Sequence, residues 1–316
     1  MVFFTRAADA EVSELERLLT LLGVPALRID ADDLGSIQVE PTVPATIRIG
    51  GRSVRPTASW TRRFWPSAMA PARTPVDVLH RDSWLALAAQ LARSAPAALP
   101  GPRLGLLEQL TWAAASGVGV PATIVGTDVA GAADRLPGDR LVVKVLDAHF
   151  VESAPGTLHG FLPCVLPRAE IAGLAATSRI PLVVQEYVRH TAEYRVYAMR
   201  GELITFEVRK PTPDAIWRDP DTVAVRAVAA PADVAAAVTG LAERWRLGYG
   251  AFDVLATDGG AVFLEVNADG DWRWYEAKAG VRTVSRALAL MLRDLHTACG
   301  GTVRRAGFDL LTVMAG

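Results

Sequence analysis

The sequence predicts a mixed α/β chain, and three features carry that reading. The amino terminus alternates strand, helix and strand. Two later segments, Glu193–Val208 and Tyr249–Asn267, fold back on glycine-bearing turns as hairpins do. Between the opening and these hairpins lie short apolar runs with single polar residues set into them, which read as buried strands.

Taken in order, Val2–Phe4 is a short buried strand. Glu11–Leu22 sets Val12, Leu15, Leu18, Leu19 and Leu22 on one helical face, and Gly23 ends it. Val24–Ile29 resumes as a strand. Ile47–Ile49, a Gly50–Gly51 turn and Val54–Trp60 read as a hairpin, followed by the basic, aromatic segment Thr61–Trp65. Asp82–Ala92 is an apolar helix, and Ser94–Pro102, with its three prolines, marks the expected domain boundary. Leu106–Ser116 is a helix closed by Gly117, and GVGVPATIVGTD turns into a strand. Leu141–Leu146 is a buried strand carrying Lys144, and Pro181–Val188 is another carrying Gln185 and Glu186. The first hairpin turns at Arg200–Gly201, Ala232–Trp245 is a helix, the second hairpin turns at Asp258–Gly259–Gly260, and Val281–Cys299 closes the chain as a helix.

Composition narrows the function classes. With 316 residues, 51% hydrophobic and 21% charged, the chain can bury a sizeable core. A net charge of -1 lacks the basic excess of a nucleic-acid binder. Cys164 and Cys299 are too few for a disulfide framework and fit a reducing compartment. The start turns charged by Arg6 and Asp9, unlike a signal peptide, and no apolar run reaches the roughly 18 residues of a membrane span. The expectation is a soluble cytoplasmic protein with no membrane partner. Neither GxxxxGK[ST] nor GxGxxG occurs, which disfavours a phosphate-loop enzyme or a Rossmann dehydrogenase.

The second hairpin carries the strongest geometric signal. With Gly259 at its centre, Thr257 faces Ala261, Ala256 faces Val262, Val254 faces Leu264 and Asp253 faces Glu265. The even face, from Phe252 to Val266, is then wholly apolar, and the odd face carries Asp253, Glu265 and Asn267. Directly opposed carboxylates repel, and a bound cation resolves the conflict. Oxygen ligands beside phosphates favour magnesium over zinc. An amphipathic hairpin with a solvated acidic face accounts for the same spacing, and both readings stand at this point.

The order of the pieces resembles the ATP-grasp superfamily: the strand lysine Lys144, then QEYV, then EYRVYAMRGEL, then GAFDVL, then FLEVNADGDW. FLEVNADGDWRW is especially similar to the ligases that close ester and amide crosslinks in ribosomally made peptides, the microviridin-type or graspetide maturases. LTLLGVPALRID and SVRPTASWTRRF are similar to the domain that precedes the grasp in that group. The resemblance covers nearly the whole chain, and the motifs between Lys144 and Asn267 carry most of its specificity. It implies an ATP-grasp fold of two lobes preceded by an α/β pre-ATP-grasp domain. Residues 1–100 would form that first domain, 101–180 the first lobe and 181–316 the second lobe with the magnesium site. It also implies ATP and Mg2+ as cofactors. Lys144 would contact the nucleotide phosphates. Gln185, Glu186, Tyr187 and Val188 would form the hinge that holds the adenine edge, and Glu193 would lie near the ribose. Arg195 would neutralise the transferring phosphoryl group, and Asp253, Glu265 and Asn267 would hold magnesium.

Two departures from that pattern stand out. Leu106 occupies the position of a usual phosphate lysine, with Arg103 nearby, and DAHFVESAPGTLHGF replaces a glycine-rich loop. His149 and Glu152 sit in this loop, where His149 is a candidate general base or a backbone-bonded loop histidine. Lys210 and Arg218 follow the first hairpin, and a two-residue turn would put Arg195 and Lys210 on one face. They are candidates for binding an acyl-phosphate or substrate carboxylate, or a solvated basic loop; Trp217–Arg218 resembles a pair in the related ligases. Arg62 and Arg63, among Trp60, Phe64 and Trp65, suit either an acidic peptide or interdomain packing.

The expected function is an ATP-dependent carboxylate–amine or carboxylate–hydroxyl ligase that forms an acyl-phosphate and modifies a ribosomally made precursor peptide. The alternatives are a ligase for small amino-acid metabolites and a non-catalytic nucleotide-binding module. Self-association as a homodimer is left open.

Overall fold

The computed structural model describes residues 1–35, 37–42, 46–49, 52–65, 74–146, 149–154, 157–175, 180–212 and 214–304, with the backbone alone at 52, 150–154, 158, 172–175 and 217. The amino-terminal sheet is parallel, in the order β2–β1–β6–β7. It is built from β1 (Val2–Thr5), β2 (Leu27–Asp30), β6 (Ala58–Thr61) and β7 (Ala97–Leu99). Helix α1 (Ala10–Leu21) joins the first two strands, and Asp9 caps it by accepting from the Val12 amide at 3.1 Å. Strands β3 (Val39–Thr42), β4 (Thr46–Ile49) and β5 (Arg52–Val54) form a small antiparallel sheet beside it. Helix α2 (Pro75–Ser94) begins seven residues ahead of the expected Asp82, where Thr74 and Asp77 make a reciprocal capping box.

Proline shifts two expected boundaries here. Val24–Ile29 does not pair until Leu27, after Pro25. Val54–Trp60 is divided at Pro56, which has no N–H for a ladder, so β5 pairs with β4 while β6 joins β1 in the other sheet. The proline-rich stretch Ser94–Pro102 also contains a strand of the first sheet, β7.

Helix α3 (Leu106–Ala115) leads into a four-stranded antiparallel sheet, β12–β9–β13–β8, made of β8 (Thr123–Gly126), β9 (Arg140–Val145), β12 (Cys164–Pro167) and β13 (Leu182–Glu186). Helices α4 (Val129–Arg135) and α5 (Arg168–Ala175) pack on it. The stretch expected as a poor glycine loop is a hairpin instead, β10 (Phe150–Ala154) with β11 (Thr157–Gly160). A five-stranded antiparallel sheet follows, β16–β15–β14–β17–β18. Its strands are β14 (Ala192–Met199), β15 (Glu202–Arg209), β16 (Ala224–Val228), β17 (Gly250–Thr257) and β18 (Gly260–Asn267). They are accompanied by α6 (Ala215–Arg218), α7 (Ala232–Arg244), α8 (Arg273–Ala279) and α9 (Thr283–Ala298).

The amino-terminal sheet and the far end of the chain share one core. Phe3, Leu15 and Trp60 pack with Tyr197, Tyr249, Trp272 and Leu288, all 0% exposed. Trp60 stacks on Trp272 with centroids 6.2 Å apart, and α9 lies along α1. A second core joins α3 and α7 to the five-stranded sheet, with Trp245, Phe252 and Phe263 in mutual ring contact. Among the described residues no helix is long and apolar enough to cross a membrane.

Candidate active site

A cavity of about 390 Å³ opens between the four-stranded and five-stranded sheets. Lys144, Gln185 and Glu186 reach it from one sheet; Glu193, Arg195, Asp253, Glu265 and Asn267 reach it from the other. His149, Tyr187, Val188 and Lys210 complete its rim. A larger groove of about 1080 Å³ runs along α9 and contains none of these residues.

Strand register explains how the two carboxylates meet. Asp253 pairs with Glu265, as the spacing predicts, but the outer half of the hairpin is shifted. Thr257 pairs with Gly260, Ala256 with Ala261 and Val254 with Phe263. Gly260, at φ +105, takes the left-handed position of the turn. A bulge between Asp253 and Val254 absorbs the extra residue and restores the inner register. Phe263 therefore occupies the core at 0% exposure, while Leu264, expected on the apolar face, lines the cavity beside Glu265.

Each carboxylate is matched by a cation from a different strand. Lys144 Nζ lies 2.8 Å from Glu265 Oε2, bridging the two sheets. Arg195 Nη1 donates to both oxygens of Asp253, at 2.8 and 2.7 Å. Asn267 Nδ2 bridges Asp253 at 3.3 Å and Glu265 at 3.1 Å. Burial works to raise the Glu265 carboxyl, but Lys144, Asn267 and His149 outweigh it and hold it down at about 2. At Asp253 burial is the largest influence; Arg195 opposes it, Glu265 adds to it, and the net shift is upward. Arg195 is gripped between Tyr197 and Tyr275, its guanidinium carbon 5.6 and 5.4 Å from their centroids. Its Nε is buried without a hydrogen-bond partner among the described residues, a donor suited to a ligand oxygen.

The donor set suits magnesium. Among the described residues no cluster of three His, Cys, Asp or Glu side chains forms a metal site, so Asp253 and Glu265 make a trio only with the Asn267 amide. An all-oxygen set with two carboxylates fits a hard divalent cation that keeps further positions for phosphate oxygens.

Gln185 donates to Thr123 Oγ1 at 2.9 Å, Glu186 accepts from the Ala122 amide at 3.2 Å, and Arg140 covers the Tyr187 ring at 5.0 Å. Lys210 and Glu193 form a pair at 2.9 Å on the cavity wall, and the two-residue Arg200–Gly201 turn does put Arg195 and Lys210 on one side of the sheet. Arg218 is not brought in: it belongs to the short helix α6, is 69% exposed and pairs with Asp214 one turn earlier at 2.8 Å. The Glu152 and Trp217 side chains lie outside the described residues. Arg103 is likewise engaged elsewhere, forked onto Asp269 at 2.8 and 2.9 Å, and Leu106 packs in the second core. Arg62 and Arg63 both bond Asp271, so the WTRRF segment packs against the turn that follows β18.

Tyr275, Leu264, Val142, Val165 and Ile216 also line the cavity without having been singled out by sequence. The consecutive apolar residues Val262, Phe263 and Leu264 were the available signal: a half-buried strand alternates, so such a run marks a second apolar surface or a bulge. Nothing in the sequence marked Tyr275 apart from its aromatic neighbours.

No family model matches the sequence, and no curated protein does. Solved structures do match, and they show that the chain has the ATP-grasp fold. The macrocyclase MdnC of Microcystis aeruginosa MRC, bound with precursor peptide MdnA, superposes with a TM-score of 0.75 at 17% identity, covering 93% of this chain and 99% of that one. The ATP-grasp ligase PsnB, complexed with a phosphomimetic variant of its minimal precursor, Mg and ADP, gives 0.74 at 19% identity, over 93% and 97%. D-cycloserine synthetase DcsG gives 0.58 at 19%, over 92% and 98%.

Proposed function

We propose that the chain is an ATP-dependent ligase that activates a peptide carboxylate as an acyl-phosphate and joins it to a hydroxyl or amine. The carrying observation is the convergence of Asp253, Glu265, Asn267, Lys144 and Arg195 on one cavity between two sheets. Lys144 and Arg195 exchange their carboxylate contacts for phosphate oxygens, which rigid strands present in a partly dry site. Magnesium, held by Asp253, Glu265 and Asn267, supplies charge neutralisation when bound. Gln185 to Val188 edge the base, with Val142, Val165 and Leu264 as its apolar walls. Glu193 orients the ribose and holds Lys210 at the cavity wall. The γ-phosphoryl bond to ADP breaks as a bond to the substrate carboxylate forms. The nucleophile then attacks the acyl carbon, gives its proton to His149, and phosphate leaves. A peptide substrate is supported by the FLEVNADGDW phrase and by MdnC and PsnB, which were both solved with precursors. In this reading the protein works in the cytoplasm.

The test is ADP release together with mass spectrometry of an acidic precursor peptide, ideally one encoded beside the gene, after incubation with enzyme, ATP and Mg2+. Each crosslink lowers the peptide mass by one water. A mass gain points to addition of a free amine, and ADP release with a small amino acid alone points to a metabolite ligase. Absence of ADP release with every acceptor rejects the enzyme reading.

A further inference from the structure

Arg62 stands outside the cavity and is fully buried, 0% exposed. Its Nε donates to Asp9 at 3.1 Å, Nη1 donates to the carbonyls of Asp269 and Gly270 at 2.8 and 3.0 Å, and Nη2 reaches Asp271 Oδ1 at 2.7 Å. The guanidinium lies over Trp272 at 4.8 Å. A planar fork of five donors can serve three consecutive residues at once, as a lysine cannot. Those residues are the turn that leaves Asn267, whose carbonyl accepts from the Gly270 amide at 3.2 Å.

The other side of this turn touches the phosphate wall. A Cβ added at Gly270 would come 2.3 Å from Ala251 Cβ and 2.7 Å from Arg195 Nη2. The turn thus begins at one cavity residue and rests against another. Tyr249 also holds it, donating to the Gly270 carbonyl at 2.7 Å, and Tyr197 donates to the Asp271 carbonyl. A buried ion pair is weak ground for stability, because desolvation offsets much of its attraction. Directional bonds to three successive residues, by contrast, select one backbone path.

We propose that Arg62 is a positioning residue for the candidate metal and phosphate site, fixing the Asp269–Asp271 turn and through it the Asn267 amide and the Arg195 guanidinium. The proposal rests on the ligase reading. It makes the amino-terminal sheet part of the site's geometry, since Arg62 follows β6 and its amide is bonded to Phe4 at 2.8 Å.

The experiment compares ADP affinity of the full chain in Mg2+ and in EDTA, by calorimetry, for wild type, Arg62→Lys and the double variant Arg62→Met with Asp9→Asn. The double variant removes the Asp9 charge together with the guanidinium, so that of the two buried carboxylates beside Arg62 only Glu11, 3.6 Å from Nη2, loses a cation. The expected result is folded variants whose affinity in EDTA stays within about threefold of wild type while the Mg2+-dependent gain falls at least ~tenfold, the size seen when groups supporting metal ligands are removed. Arg62→Lys falls between. A full Mg2+ gain in both variants, an equal loss with and without the metal, or failure of both to fold would overturn the assignment. Wild type showing no Mg2+ dependence would instead remove the ligase reading beneath it.

Discussion

The two hairpins of the five-stranded sheet have strands of equal length, eight residues each, and opposite habits of register. In β14–β15 pairing runs unbroken from Glu193 with Val208 to Met199 with Glu202. In β17–β18 it slips between Asp253 and Val254. A regular hairpin offers the cavity every second residue, which is how Glu193 and Arg195 both reach it. The bulged hairpin offers consecutive residues, so Leu264 and Glu265 serve the same wall while Phe263 goes to the core. The bulge lets one short strand supply an apolar surface and a cavity-lining carboxylate side by side.

The largest expected effect tests that division. Phe263→Ala should cost about 3–5 kcal/mol in urea denaturation, because a fully buried ring touching Trp245 and Phe252 is lost. Leu264→Ala should cost less than about 1 kcal/mol, since its side chain faces the cavity and little close packing is removed. A regular register would reverse the order, so a greater cost at Leu264 would rule out the bulge.

Next come the functional faces of the two hairpins. Glu265→Gln should leave the fold intact and lower Mg2+-dependent ADP release by about 100-fold, at the upper end of what metal-site substitutions cost. Unchanged release in the folded variant would show the carboxylate to be part of a merely solvated or ion-paired face. On the regular hairpin Arg195→Met, and on the facing sheet Lys144→Met, should each reduce turnover at least ~tenfold, as charged donors at a phosphoryl centre do. Aggregation of both variants in a melting assay would mean that the two cations serve the fold.

What the sequence made legible follows from the same contrast. Alternation and turn residues were enough for β14–β15, for the pairing of Asp253 with Glu265 and for a helix on α1. The register nearer the second turn was not legible, because one extra residue leaves the carboxylate pair opposed while exchanging the roles of Phe263 and Leu264. Arg62 was visible as a basic, aromatic neighbour, but no local pattern could show that its acceptors lie about two hundred residues away at Asp269, Gly270 and Asp271. The segment from His149 to Pro167 was also opaque. Its short strands, β10 to β12, have few alternating positions, and β12 is placed by its long-range pairing with β9.

The smallest effect isolates the turn of the regular hairpin. Arg200 and Gly201 both lie at positive φ, +47° and +96°, as a two-residue turn between twisted strands requires. Glycine takes that conformation without strain, but the arginine Cβ crowds its own backbone there, at a cost of about 1–2 kcal/mol. Asparagine tolerates the left-handed region better and adds none of the unfolded-state entropy that glycine would bring. Arg200→Asn should therefore stabilise the chain by roughly 0.5 kcal/mol, with ADP release unchanged because the turn lies outside the cavity between the two sheets. The comparison is a urea midpoint measured beside Gly201→Ala, which must lose stability because alanine cannot sit at +96° without strain. If Arg200→Asn is destabilising, the arginine side chain makes a contact worth more than its backbone strain, and the regular hairpin owes its register to that contact as well as to its turn.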